Sequence, residues 1–147
     1  MFPVTGARVA VYRREHFNAA HRIHNPKLSD ADNARIYGKC NNPNYHGHNY
    51  DLTVRVSGVV DPVIGYVIDL GTLSATVREV VLDRLDHMNL NLDVPEFSDL
   101  NPTVENIAIV IHGMLRAHIP DHLDLHVILA ETPRNIVQYP ADQVTVT

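Results

Sequence analysis

The chain of 147 residues contains one cysteine, Cys40, so no internal disulfide can brace it. Its only lysines are Lys27 and Lys39, its formal net charge is −5, and no basic cluster occurs, which argues against nucleic acid as a partner. No stretch approaches the roughly 18 consecutive apolar residues that mark a membrane span. The opening segment "MFPVTGARVAVYRRE" also lacks the continuous apolar core of a secretory signal. A cytoplasmic protein without a membrane partner is the expectation. Repeats, low-complexity tracts and linkers are missing as well, so residues 1–147 are expected to form one domain. What is present is an apolar fraction of 45 %, enough for a core, and 10 histidines, a high number for this length. Position must decide which of those histidines matter.

The clearest strand is "NYDLTVRVSG", with Tyr50, Leu52, Val54 and Val56 on one face and Asp51, Thr53, Arg55 and Ser57 on the other. Upstream, Val9, Val11, Phe17, Ala19 and His21 recur at even spacing. Arg13 and Glu15 interrupt that face, and a bulge is the expected accommodation. Residues 24–42 are polar and turn-rich and read as a long loop, a form often tied to function. A helix capped by Asp69 is expected to present Leu70, Leu73, Val77, Val80, Val81 and Leu85. A second, capped by Thr103 with Glu105 in its first turn, is expected to present Ile107, Val110, Ile111 and Met114. Leu123, Leu125, Val127 and Leu129 alternate again, and after a turn at "TPRN" a last strand, "IVQY", closes the pattern. The order ββααββ predicts an α+β domain: an antiparallel sheet of two hairpins with both helices on one face. Its other face requires polar residues or a partner chain.

The chemistry concentrates in "GKCNNPNYHGHNY". His46 and His48 share the parity of Tyr50, and His21 shares that of Phe17, so pairing of the first two strands brings three imidazoles together. Three neutral imidazoles with an open fourth position are the pattern of catalytic zinc. Cys40 as a fourth ligand would instead close the site, but that leaves the long loop and the acidic residues without a role. Asp86 and His87 stand side by side at the end of the first helix. An Asp–His pair can orient and charge an imidazole, although adjacent residues on a helix do not face one another. Glu131 continues the apolar face of Leu125, Val127 and Leu129, where a carboxylate is costly to bury unless it is paired or binds something.

The strings "FNAAHR", "GKCNNPNYHGHNY", "LDHMNLNLDVPEFSDLNPTVENIA" and "ETPRNIVQY" resemble the 6-pyruvoyl-tetrahydropterin synthase family, in order, from about Phe17 to about Tyr139. The resemblance implies the tetrahydrobiopterin-biosynthesis fold (T-fold), in which strands from several subunits join into a barrel. It also implies a homohexamer of two trimers with active sites between subunits. His21, His46 and His48 match the zinc ligands, and Cys40 matches the catalytic cysteine. Asp86 and His87 match the residues that pair with that cysteine from a neighbouring subunit. Glu131 matches the pterin anchor, and Thr103 and Glu105 match a segment lining the pterin pocket. Pro133, in the "ETPRN" turn, departs from the family pattern beside Glu131. The implied substrate is 7,8-dihydroneopterin triphosphate, converted to 6-pyruvoyl-tetrahydropterin with elimination of triphosphate and with Zn2+ as cofactor. Arg22 and Lys39 are cationic, flank the site and are candidates for the triphosphate.

Three other readings fit parts of the pattern. A 6-carboxy-tetrahydropterin synthase of the queuosine type shares the fold and also expels acetaldehyde. Its usual string has three residues between cysteine and H-G-H, whereas "NNPNY" supplies five. A non-catalytic zinc module predicts Cys40 among the ligands and no pterin affinity. A zinc hydrolase using metal-bound hydroxide gives Cys40 and Glu131 nothing to do.

Overall fold

Strands β1 (Arg8–His21) and β2 (His46–Val59) run antiparallel in an unbroken register from Arg8↔Val59 to His21↔His46. The computed structural model describes residues 4–142. No bulge interrupts the β1–β2 pairing at Arg13 and Glu15. These two share a face, and the Arg13 Nη2 lies 2.6 Å from a Glu15 oxygen, so each charge is met by the other. Beyond them the inner face is apolar: Phe17, Tyr50, Leu52, Val54 and Val56 are fully buried, and the Phe17 and Tyr50 rings stack at 4.9 Å.

Strand β4 (Asp124–Thr132) pairs antiparallel with β2, placing Leu125, Val127 and Leu129 opposite Val56, Val54 and Leu52. Strand β5 (Asn135–Tyr139) pairs antiparallel with β4. A strand that was not expected, β3 (Met88–Asn89), lies parallel to β1 beside Ala19 and Ala20 and makes the sheet order β3-β1-β2-β4-β5. Two residues are too few to show alternation, so nothing in the sequence announces it.

Helix α2 (Leu70–Val77) begins where Asp69 Oδ1 accepts the Thr72 N–H at 2.6 Å. Its buried residues Leu73 and Val77, followed by Val81 and Leu85, recur every fourth position. At 3.6 residues per turn, four-residue steps drift by about 40° each. A π-helical turn at Arg78–Leu82 takes up that drift and keeps Val81 and Leu85 on the core before the short helix α3 (Asp83–Leu85) ends. After the short helix α4 (Leu90–Asp93), helix α5 (Val104–Arg116) starts at Thr103, whose hydroxyl accepts the Asn106 N–H at 3.2 Å. Its buried face is Ile107, Ala108, Ile111 and Leu115, with the expected Val110 and Met114 only partly buried at its margin. Helices α2 and α5 share one core with the inner faces of β1, β2 and β4. The opposite sheet face carries the exposed polar residues Arg14, His16, Asn49 and Asp51 together with the exposed Tyr12, Val59 and Ile136. No helix among the described residues is long and apolar enough to cross a membrane.

The stretch 24–42, expected to be a loop, contains helix α1 (Asp30–Tyr37). Its only buried residue is Asn33, so it carries no apolar stripe and gives no periodic signal. It is held by polar contacts instead. Ser29 Oγ accepts the Asp32 N–H at 3.1 Å, while the Asn33 amide donates to the carbonyls of Asn25, Leu28 and Ser29 and accepts the Asn25 N–H at 2.8 Å. Asn33→Ala strands those buried groups and is expected to cost about 1–3 kcal/mol. Urea denaturation should show a lower midpoint with an unchanged slope.

Candidate metal centre and active-site cavity

His21 lies opposite His46 in the β1–β2 register and Ala19 lies opposite His48, so all three imidazoles share the inner face at one end of the sheet. Their ring centroids are 4.6–5.1 Å apart, and one nitrogen from each falls within 4.8 Å of the others. The His21 Nδ1 is 2.8 Å from the Pro102 carbonyl. A carbonyl only accepts, so Nδ1 carries the proton and Nε2 presents its lone pair to the other histidines. Burial is the main cause that lowers the His21 pKa to about 4. The Pro102 carbonyl opposes it, and His46 and His48 add to it. His46 is lowered too, again chiefly by burial. Neutral rings at neutral pH are what a metal requires.

His21 Nε2, both nitrogens of His46 and His48 Nε2 are buried without a hydrogen-bond partner. Orphaned polar atoms facing one another are costly unless something binds them all. A cation fits, and the all-imidazole donor set suits a transition metal. Cys40 is not a member of this ligand group.

Glu131 stands at a register shift between Ala130 and Thr132, where β4 carries one residue more than β5. Such a bulge re-aims a side chain. The carboxylate comes within 3.7 Å of His48 Nε2 and 3.9 Å of His21 Nε2. Cys40 lies in the 3-10 turn Gly38–Asn41 that follows α1. A cavity of ≈ 270 Å³ brings together His21, Cys40, Thr103, Glu105 and Glu131, with Tyr37 on its wall. Residues from β1, the α1 loop, the start of α5 and the end of β4 thus converge. Burial raises the Cys40 thiol pKa first, and Glu131 raises it further.

Asp86 and His87 face one another although they are adjacent, contrary to the helical expectation. The helix ends at Leu85, Asp86 is extended, and His87 has φ 63, a left-handed conformation rare for a non-glycine residue. That turn sets His87 Nδ1 2.9 Å from the Asp86 carboxylate. The other Asp86 oxygen accepts the Asn18 N–H at 2.8 Å, and the His87 N–H donates to the Asn18 carbonyl at 2.6 Å. The Asn18 N–H is the main cause holding the Asp86 carboxyl below its usual range, with His87 adding to it. His87 borders a different cavity, of ≈ 550 Å³, beside Asn18, Ala20, Gly47, His48 and Asn49. In one chain it does not meet Cys40, and the His87 side chain is 76 % exposed.

Two residues at the centre escaped the sequence. Pro102 acts through its carbonyl, which leaves no side-chain signal. The buried Tyr50 hydroxyl lies 3.5 Å from His21 Nδ1, and its even spacing from His46 and His48 was the available clue. Of the proposed phosphate cations, Arg22 donates through Nε to the Asn41 carbonyl at 2.9 Å, and Lys39 is exposed.

The family model for 6-pyruvoyl tetrahydropterin synthase matches residues 10–142. The chain is 43 % identical over 132 residues to the 6-pyruvoyl tetrahydrobiopterin synthase of Homo sapiens, covering 90 % of this chain and 91 % of that one. It is 44 % identical over 129 residues to the Poecilia reticulata enzyme of the same name, covering 88 % of each. The solved structure of Caenorhabditis elegans 6-pyruvoyl tetrahydropterin synthase superposes with a TM-score of 0.87 at 43 % identity, covering 97 % of this chain and 100 % of that one.

Proposed function

The chain belongs to the 6-pyruvoyl tetrahydropterin synthase family, and on that premise we propose that it is a zinc-dependent lyase. It converts 7,8-dihydroneopterin triphosphate to 6-pyruvoyl-tetrahydropterin and releases triphosphate. The observation that carries this reading is the single cavity shared by His21, Cys40 and Glu131. It sets a metal ligand, a thiol and a carboxylate around one small volume.

His21, His46 and His48 hold the zinc. When bound, the ion supplies Lewis-acid stabilisation of negative charge on side-chain oxygens. Glu131 accepts the paired N–H donors of the aminopyrimidine edge, as a carboxylate does from a guanidinium. Thr103 and Glu105 line the pterin pocket. Cys40 takes a proton from a side-chain carbon, the carbon–oxygen bond to triphosphate breaks, and hydrogen is redistributed within the molecule. The redistribution is internal, so no external redox cofactor enters. A thiol whose pKa is raised by burial and by Glu131 needs added positive charge to serve as a base. That charge comes from the metal, or from His87 of a neighbouring copy oriented by its Asp86, in a homo-oligomer, a hexamer of two trimers.

The test is to incubate the protein with dihydroneopterin triphosphate and identify the products. 6-Pyruvoyl-tetrahydropterin with triphosphate is expected. Acetaldehyde with a 6-carboxy product overturns the reading in favour of the carboxy enzyme. The metal assignment has its own test. His48→Ala should remain folded by circular dichroism while losing bound zinc and turnover together. Full zinc occupancy in that variant refutes the ligand set.

A further inference from the structure

We infer that Asn41 is a positioning residue, whose side-chain amide sets the Cys40 thiol relative to the metal-binding histidines. The inference rests on the function proposed above and adds a residue to it.

The chain leaves β1 at His21 and passes through Arg22, Ile23 and His24 without entering another element. Each backbone donor and acceptor from the Arg22 N–H to the His24 N–H is nevertheless paired with a specific partner. Asn91 accepts the Arg22 N–H at 2.8 Å and donates to the Arg22 carbonyl at 2.9 Å. The Ile23 N–H donates to the Cys40 carbonyl at 2.8 Å. The Ile23 carbonyl accepts from Asn41 Nδ2 at 2.8 Å. Asn101 accepts the His24 N–H at 3.2 Å.

Cys40 and Asn41 are therefore laced to the residues that follow His21. A further bond runs the other way, from Arg22 Nε to the Asn41 carbonyl at 2.9 Å. Asn41 Nδ2 also lies 2.9 Å from His24 Nδ1. The Cys40 carbonyl is fixed on one side of Ile23 and the Asn41 amide on the other, so the turn carrying the thiol has little freedom to pivot. Beyond it, the Tyr45 N–H donates to the Asn42 carbonyl at 3.1 Å, and β2 opens with His46. The thiol segment is thus tied at one end to the strand bearing His21 and runs at the other into the strand bearing His46 and His48.

The chemistry requires an amide at this position. Nδ2 faces a carbonyl oxygen and a histidine nitrogen, and it donates to the carbonyl. An aspartate of the same shape presents an oxygen to that carbonyl, so attraction becomes repulsion. Misplacing a reacting group by about 1 Å costs on the order of 10²-fold in rate.

The experiment compares the zinc-loaded wild type with Asn41→Asp and Asn41→Ala. It measures zinc content, thermal midpoint, KM, kcat and the rate at which iodoacetamide alkylates Cys40. Both variants are expected to keep their zinc and to leave KM within about threefold, while kcat falls on the order of 10²-fold. The Cys40 alkylation rate is expected to change in both, and more in Asn41→Asp. An unchanged kcat together with an unchanged alkylation rate overturns the inference. Loss of zinc, a raised KM and a collapsed thermal midpoint in both variants also overturns it, because the residue is then structural only. Should the wild type not turn over the pterin, the proposed function fails, and the alkylation comparison still decides whether Asn41 governs the thiol.

Discussion

Cys40→Ala is expected to retain its zinc and to lose about 10²–10⁴ of its turnover, the range a general base contributes. The geometry separates the two roles. The ligand group consists of His21, His46 and His48, and their nitrogens are the orphaned atoms that a metal would satisfy. Cys40 shares the cavity with Glu131, Thr103 and Glu105 but stands outside that group. Removing the thiol therefore leaves the coordination intact and takes away the proton acceptor. Metal analysis alongside single-turnover kinetics checks both halves. If zinc leaves with the thiol, Cys40 is a ligand and the closed, non-catalytic site is correct.

Inactive Cys40→Ala and inactive His87→Ala subunits, dissociated, mixed and reassembled, are expected to regain a substantial part of wild-type activity. Neither variant recovers alone. The expectation follows from where one chain places the two groups. Cys40 opens into the cavity beside His21, whereas His87 borders a separate one flanked by Asn18, His48 and Asn49. The left-handed turn at His87 and the bonds from Asn18 hold the imidazole outward, mostly in solvent. Backbone strain of this kind persists only where surrounding contacts enforce it, and it clusters at functional sites. In a mixed oligomer some interfaces pair an intact cysteine with an intact histidine. Activity that stays absent in well-mixed, folded, zinc-loaded oligomers refutes the shared site. A protein that stays monomeric at working concentration refutes it more directly.

The long strands and the two capped helices were legible because each has a strong local signal. Tyr50, Leu52, Val54 and Val56 alternate without exception, and Asp69 and Thr103 cap the helices as their side chains predict. The missed pieces lack any such signal. Helix α1 buries only an asparagine, β3 is two residues long, and the π-helical turn shows itself only as a four-residue repeat that an α-helix cannot sustain. Arg13 and Glu15 looked like a break in the face. Their mutual pairing is a contact between side chains, which parity alone does not reveal.

At the site the division is sharper. Strand parity by itself determined that His46 and His48 share a face with Tyr50, and that His21 shares one with Phe17, because a side-chain period of two is a local property of the extended chain. Capping residues and the even spacing of Glu131 with Leu125, Val127 and Leu129 are local in the same sense. Only the tertiary structure decided that Cys40 and Glu131 open into one cavity, that the Pro102 carbonyl sets the His21 tautomer, and that Asn41 laces the thiol turn to Ile23. It alone also placed His87 at a cavity that Cys40 does not line. These depend on backbone groups, on a bulge and on contacts between segments up to 81 residues apart. A periodic pattern reports which way each side chain points along its own strand or helix, and packing between elements sets what it meets there.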